Sequence, residues 1–197
     1  MSVLLIAGSP TSPSRSTALL DAAALRLQRC GVAVQRLAVR DLPALALLHA
    51  DFGDAKVQHA TDAVAQARAV IVATPVYKAA YSGVLKAFLD LLPQTAFKGK
   101  TVLPLATGGS PYHMLALDYA LRPVLGALGA RHILPGVYAT DAQVTLTPEG
   151  AYQLHSDVAD RLAEAVDTLQ AEAFPPPPLA SHSGFEPVHF SRVRCSV

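Results

Sequence analysis

The sequence predicts an α/β protein built on a doubly wound, five-stranded parallel sheet with helices on both faces. Three observations carry this prediction. Short runs dense in Val, Leu and Ile alternate with longer segments of helical period; the runs are apolar throughout; and turns containing Gly, Pro or Ser separate the two kinds of segment. A strand covered on both faces has no solvent side, so it reads as a continuous apolar run.

In chain order, strands are predicted over residues 3–7, 32–39, 69–73, 102–106 and 133–137, and helices over 16–28, 57–66, 82–92, 112–128 and 158–173. The 197 residues, 51% of them apolar, suffice for one domain with a sizeable core. The expected domain spans residues 1–173. From Phe174 the pattern stops: Pro175 to Pro178 favour polyproline II, and residues 174–197 are expected to form a Pro-rich tail that is mobile or lies against a neighbouring subunit.

Charge and cysteine usage narrow the function classes. Net charge is +1, with 16% charged residues and no basic run, so neither a nucleic-acid track nor a polybasic membrane anchor is expected. The first eight residues lack a basic leader and no apolar stretch reaches membrane-spanning length, so the expected location is the cytoplasm. Cys30 and Cys195 lie far apart and outside any metal-ligand spacing, which predicts reduced thiols and no metal site.

Open sheets of this kind bind ligands beyond the carboxyl ends of their strands, which directs attention to the loops after strands one, three and four. The first, from Gly8 to Thr17, leaves a buried strand and enters a helix. A helix N-terminus offers free N–H groups and partial positive charge, Ser9, Ser14 and Ser16 offer hydroxyls, and Arg15 can add a charge-assisted bond, a set that suits phosphate. The bland alternative is a turn with an ordinary helix cap. No GxGxxG or GxxxxGK[ST] is present, so neither a dinucleotide nor a triphosphate fingerprint is met. A mononucleotide fits better, and FMN is the one held at the switch point of such sheets.

The third loop, Thr74 to Gly83, contains Pro75 to fix a turn, Val76, the flat faces of Tyr77 and Tyr81, and Lys78, which reads either as a ligand contact or as a solvated lysine. The fourth, Thr107-Gly108-Gly109 followed by Ser110 to His113, has paired glycines where backbone must approach a planar ligand, or else a flexible turn.

Two further features concern assembly. The predicted fourth helix contains Pro123, which has no N–H for the carbonyl of Tyr119, so the ladder opens by a kink or by a π-bulge. Apolar residues Val84, Leu85, Phe88, Leu89, Leu91 and Leu92 spread round more of the third helix than one buried face needs. A dimer or a tetramer of dimers is the expectation, against the alternative of a helix buried within one large core.

The three loops together closely resemble the NAD(P)H-dependent FMN reductases of bacterial alkanesulfonate monooxygenase systems. The resemblance rests on Gly8-Ser9-Pro10 with Pro13-Ser14-Arg15-Ser16, on residues 73–83 and on residues 104–109, and spans about residues 1–173. It implies a flavodoxin-like fold, FMN with NADPH or NADH as cofactors, and delivery of reduced FMN to a separate monooxygenase that desulfonates alkanesulfonates. It implies that Ser9, Ser14, Arg15 and Ser16 hold the FMN phosphate, while Pro75, Val76, Tyr77, Lys78, Thr107, Gly108 and Gly109 frame the isoalloxazine. It also implies a π-helix at a subunit interface with Tyr119 as the inserted residue. No catalytic acid or base is assigned, because hydride transfer is chemistry of the cofactors. Two other classes are weighed: a quinone, azo or metal-ion reductase with bound FMN, and a non-enzymatic electron carrier, against which the charge of +1 and the lack of Trp both count.

Overall fold

The computed structural model describes residues 2–147 and 150–175; the expectation for the tail falls mainly on residues outside this range. Its core is a parallel sheet of β1 (Ser2–Ala7), β2 (Ala33–Ala38), β3 (Ala69–Tyr77), β5 (Thr101–Gly108) and β6 (His132–Ile133), in spatial order β2-β1-β3-β5-β6. This is the doubly wound 2-1-3-4-5 order, whose direction of winding reverses between β1 and β3. Every residue of β5 is buried, as both covered faces require, whereas edge strand β2 carries exposed Gln35 and Arg36.

Helices α1 (Arg15–Arg29) and α6 (Ser156–Ala173) cover one face through a cluster that includes Leu19, Leu27, Val158 and Leu169. The other face carries α2 (Ala44–Leu48), α3 (Ala55–Gln66), α4 (Gly83–Leu89) and α5 (Arg122–Ala127), packed on Leu4, Val70, Phe88 and Phe97. Among the described residues no helix is long and apolar enough to cross a membrane.

The structure corrects three expectations. The fifth strand is not continuous over 133–137: β6 pairs with Thr101 and Val102, then β7 (Val137–Thr140) pairs with Leu105 to Gly108. The cause is Pro104. Val102 accepts the N–H of Leu134 at 2.9 Å, but Pro104, facing the same neighbour two residues on, has no N–H to return. Gly136 fills the break, where a Cβ would stand 3.2 Å from the Pro104 carbonyl and 2.7 Å from Leu117.

Secondly, the argument for assembly from the third predicted helix does not hold. Leu85, Phe88, Leu89, Leu91 and Leu92 are all buried in this single chain, and Val84 packs on the same core. Helix α4 ends at Leu89, and the following residues turn inward. Thirdly, the segment 112–128 is not one helix. A 3-10 turn (Pro111–Met114) leads through a π-helix (Leu117–Leu121) into α5, with Pro123 in its first turn, so the missing N–H is absorbed by a π-turn and not by a simple kink. Tyr119 projects from that π-turn, 79% exposed.

Candidate functional site

The carboxyl ends of β1, β3 and β5 lie side by side, so the three loops singled out in the sequence converge at the reversal point of the sheet. Side-chain and main-chain bonds join them. Gly8 donates its N–H to the Ala73 carbonyl at 2.7 Å, and the Gly8 carbonyl accepts the Ser82 hydroxyl. Ser82 in turn accepts the Leu85 N–H at 3.2 Å as the cap of α4, and donates its own N–H to Thr74 Oγ1 at 3.0 Å. Thr74 and Ser82 are fully buried polar residues that sequence reasoning passed over. Their position inside the predicted third loop, at a strand end and a helix start, was the available signal.

Two of the α-helices carry side-chain caps, whereas α1, like α2, α5 and α6, has none. Asp54 caps α3 by accepting the N–H groups of Lys56 and Val57 at 2.8 and 3.1 Å, and Ser82 caps α4. Ser14 has the extended backbone of an N-cap, yet its hydroxyl caps nothing and pairs with Ser16 Oγ at 3.0 Å. The first turn of α1 holds no acidic residue, and the N–H groups of Arg15, Ser16 and Thr17 have no hydrogen-bond partner among the described residues. Ser9, Ser14 and Ser16 are buried around this end, with the Ser9 hydroxyl turned back on Thr11 at 3.2 Å. Unused donors, partial positive charge and hydroxyls in one place form a cradle for an oxyanion.

Arg15 stands beside this cradle. Its Nε donates to the Val144 carbonyl at 3.0 Å, on the hairpin formed by β8 (Val144–Leu146) and β9 (Tyr152–Leu154), which the sequence reading missed. Its Nη groups make no hydrogen bond among the described residues, leaving them for a ligand.

The third loop is more ordered than expected. Strand β3 continues to Tyr77 and turns back into β4 (Ala80–Tyr81) as a hairpin, with Lys78 and Ala79 at its tip in the left-handed region, at φ 50° and 61°. Left-handed backbone at both central residues is the geometry of a type I′ turn, normally filled by Asn and Gly. Holding it with Lys and Ala is strained, a feature concentrated at binding and switch sites. Lys78 is exposed at the tip, Tyr77 is half-exposed, and Pro75 and Val76 are partly buried. Pro75 pairs with Thr107 across the sheet.

Gly108 touches Val76 from the fourth loop: a Cβ there would lie 3.3 Å from Val76 and 2.6 Å from the Tyr138 hydroxyl. Tyr138, also unforeseen, donates to the Ser110 carbonyl at 2.6 Å and so pins the loop from β7. Burial raises the Tyr138 phenol above its ordinary range, with Asp141 adding to the effect, so it remains a neutral donor at working pH. Tyr138→Phe is expected to lower stability by about 1 kcal/mol through loss of this bond. In a urea titration the midpoint falls while the slope is unchanged.

The eleven predicted contacts thus occupy three adjacent walls: Ser9, Ser14, Arg15 and Ser16 at the oxyanion cradle; Pro75, Val76, Tyr77 and Lys78 on the hairpin; Thr107, Gly108 and Gly109 on the glycine loop. Two clefts open beside the site instead of within it, one between α6 and residues 134–137, the other under Pro111 and Met114 and reaching Arg161.

Comparison with known proteins follows the same lines. A family model described as NADPH-dependent FMN reductase matches residues 1–145. The FMN reductase (NADPH) of Pseudomonas putida is 50% identical over 183 residues, covering 91% of this chain and 92% of that one. The FMN reductase (NADPH) of Escherichia coli is 52% identical over 169 residues, covering 86% and 88%. Among solved structures, the apo form of an NADH:FMN oxidoreductase (EMOB) superposes with a TM-score of 0.79 at 43% identity, covering 89% of this chain and 91% of that one.

Proposed function

Because this chain belongs to the NADPH-dependent FMN reductase family, we propose that it reduces FMN with NAD(P)H, the FMN phosphate resting on the N-terminus of α1. The observation that carries this placement is the uncapped first turn: three N–H donors with no hydrogen-bond partner among the described residues lie beside the buried hydroxyls of Ser14 and Ser16.

The nicotinamide and the flavin supply the hydride chemistry, and the protein contributes binding and orientation. Ser14, Ser16 and the amides of residues 15–17 hold the phosphate, with Arg15 Nη groups closing over it. Pro75, Val76 and Tyr77 and the backbone of Thr107, Gly108 and Gly109 lie edge to edge, Pro75 paired with Thr107 and Gly108 against Val76, and together form the surface on which the ring rests. Gly108 is needed there because the Tyr138 hydroxyl already occupies the space of a side chain.

We further read the reduced FMN as passed to a separate monooxygenase acting on alkanesulfonates, a reading supported by the motif resemblance in the three loops. Assembly into a dimer or tetramer is supported by the exposed Tyr112, Met114, Leu115 and Tyr119 on and before the π-turn, a cluster of apolar side chains facing solvent beside the site. Tyr119→Ala is accordingly expected to lower the molecular mass seen by light scattering and to change flavin retention; unchanged mass and retention would count against a subunit contact there.

Steady-state kinetics test the main proposal. NADPH or NADH oxidation that rises with added free FMN and saturates supports it. Turnover of a quinone by permanently bound FMN, independent of added flavin, supports a quinone reductase instead, and no oxidation of either nucleotide leaves an electron carrier.

A further inference from the structure

One acidic side chain sits where an anion-binding site would be expected to avoid it. Asp141, on the turn after β7, places Oδ1 3.9 Å from Arg15 Nε, and Oδ2 3.7 Å from where a side chain on Gly109 would begin. The carboxylate therefore lies beside both Arg15 and the glycine loop. Arg15 is its one salt-bridge partner among the described residues, and both side chains are about half exposed, 42% and 50%.

Two roles are possible for such a carboxylate, and distance decides between them. Orienting Arg15 needs a hydrogen bond, and that is already provided by the Val144 carbonyl at 3.0 Å; a 3.9 Å contact between half-exposed groups adds little. Charge acts over a longer range. A phosphate monoester carries between one and two negative charges at neutral pH, and Asp141 both repels it and partly neutralises the guanidinium that would meet it. We infer that Asp141 is a specificity-determining residue that weakens the hold on the flavin phosphate, so that FMN exchanges instead of remaining bound. Such a device suits a reductase that must release its product flavin, and is out of place in a protein that keeps its flavin permanently. The inference rests on the phosphate placement proposed above.

The test compares FMN with riboflavin, which lacks the phosphate, by fluorescence titration at low ionic strength. Asp141→Asn, which keeps shape and removes charge, is expected to bind FMN about 2- to 5-fold more tightly and riboflavin as before. Asp141→Glu is expected to bind FMN as the unaltered protein does, and raising the salt concentration should erase the difference between the Asn variant and the parent. FMN affinity that is unchanged or weaker in Asp141→Asn, or an equal gain for riboflavin, overturns the inference alone. Unaltered protein and Asp141→Asn variant that both hold riboflavin as tightly as FMN overturn the phosphate placement itself, and the inference with it.

Discussion

Ser14→Asp is expected to make the protein more stable and nearly unable to bind FMN. The native Ser14 hydroxyl leaves the first turn of α1 uncapped and bonds Ser16 instead. Asp is among the strongest N-caps, and its carboxylate would take the free N–H groups and complement the helix dipole, a gain of about 1 kcal/mol. The same carboxylate then stands where the phosphate must sit. Loss of those donors together with like-charge repulsion is worth about 3 kcal/mol, or roughly a hundredfold in affinity. A thermal melt without flavin and a fluorescence titration with FMN read the two effects separately. Opposite signs distinguish this account from a merely structural role for Ser14, which would make stability and binding fall together.

Gly8→Val is expected to cost about 3 kcal/mol of stability. A Cβ on Gly8 would stand 2.9 Å from Leu85 Cβ and 3.0 Å from the Ala73 carbonyl oxygen, neither of which is the free end of a flexible side chain. Either α4 must lift from the sheet or β1 must separate from β3. For a chain of this length the melting temperature should drop by about 6–12 °C. Flavin binding should fail as well, since the Gly8 carbonyl is the anchor of Ser82 and so of the hairpin wall. A variant that melts with the parent would show that the contact between Gly8 and α4 does not hold the first and third loops together.

Much of this architecture was legible in the sequence because local chemistry and global fold agree. Strands β1, β3 and β5 are buried on both faces and their apolar runs say so; loops rich in Ser, Gly and Pro mark their carboxyl ends. The conflict at Pro123 was also visible, and the structure resolves it as a π-turn.

What was missed depends on partners distant in sequence. The broken fifth strand is caused by Pro104 on the neighbouring strand, although Leu134-Pro135-Gly136 carried a local turn signal that its apolar flanks obscured. The apolar girth of α4 reads equally as an interface or as a deep core, and only the packed structure shows that Phe88 and Phe97 close that core from within. Lys78 and Ala79 give no hint of a type I′ turn because neither residue favours one; the strain is imposed by the pairing of Val76 with Tyr81 and Tyr77 with Ala80. Asp141 and Val144 reach Arg15 across more than a hundred residues, a relation no local pattern encodes.

The central claim is that the uncapped N-terminus of α1 holds the flavin phosphate, and a crystal structure of the FMN complex tests it most directly. The account predicts electron density for the phosphate within hydrogen-bond reach of the amides of residues 15–17 and the hydroxyls of Ser14 and Ser16, with the ring system lying across Pro75 to Tyr77 and Thr107 to Gly109. Phosphate density in the cleft beside Arg161, with α1 still bare at its first turn, would contradict it.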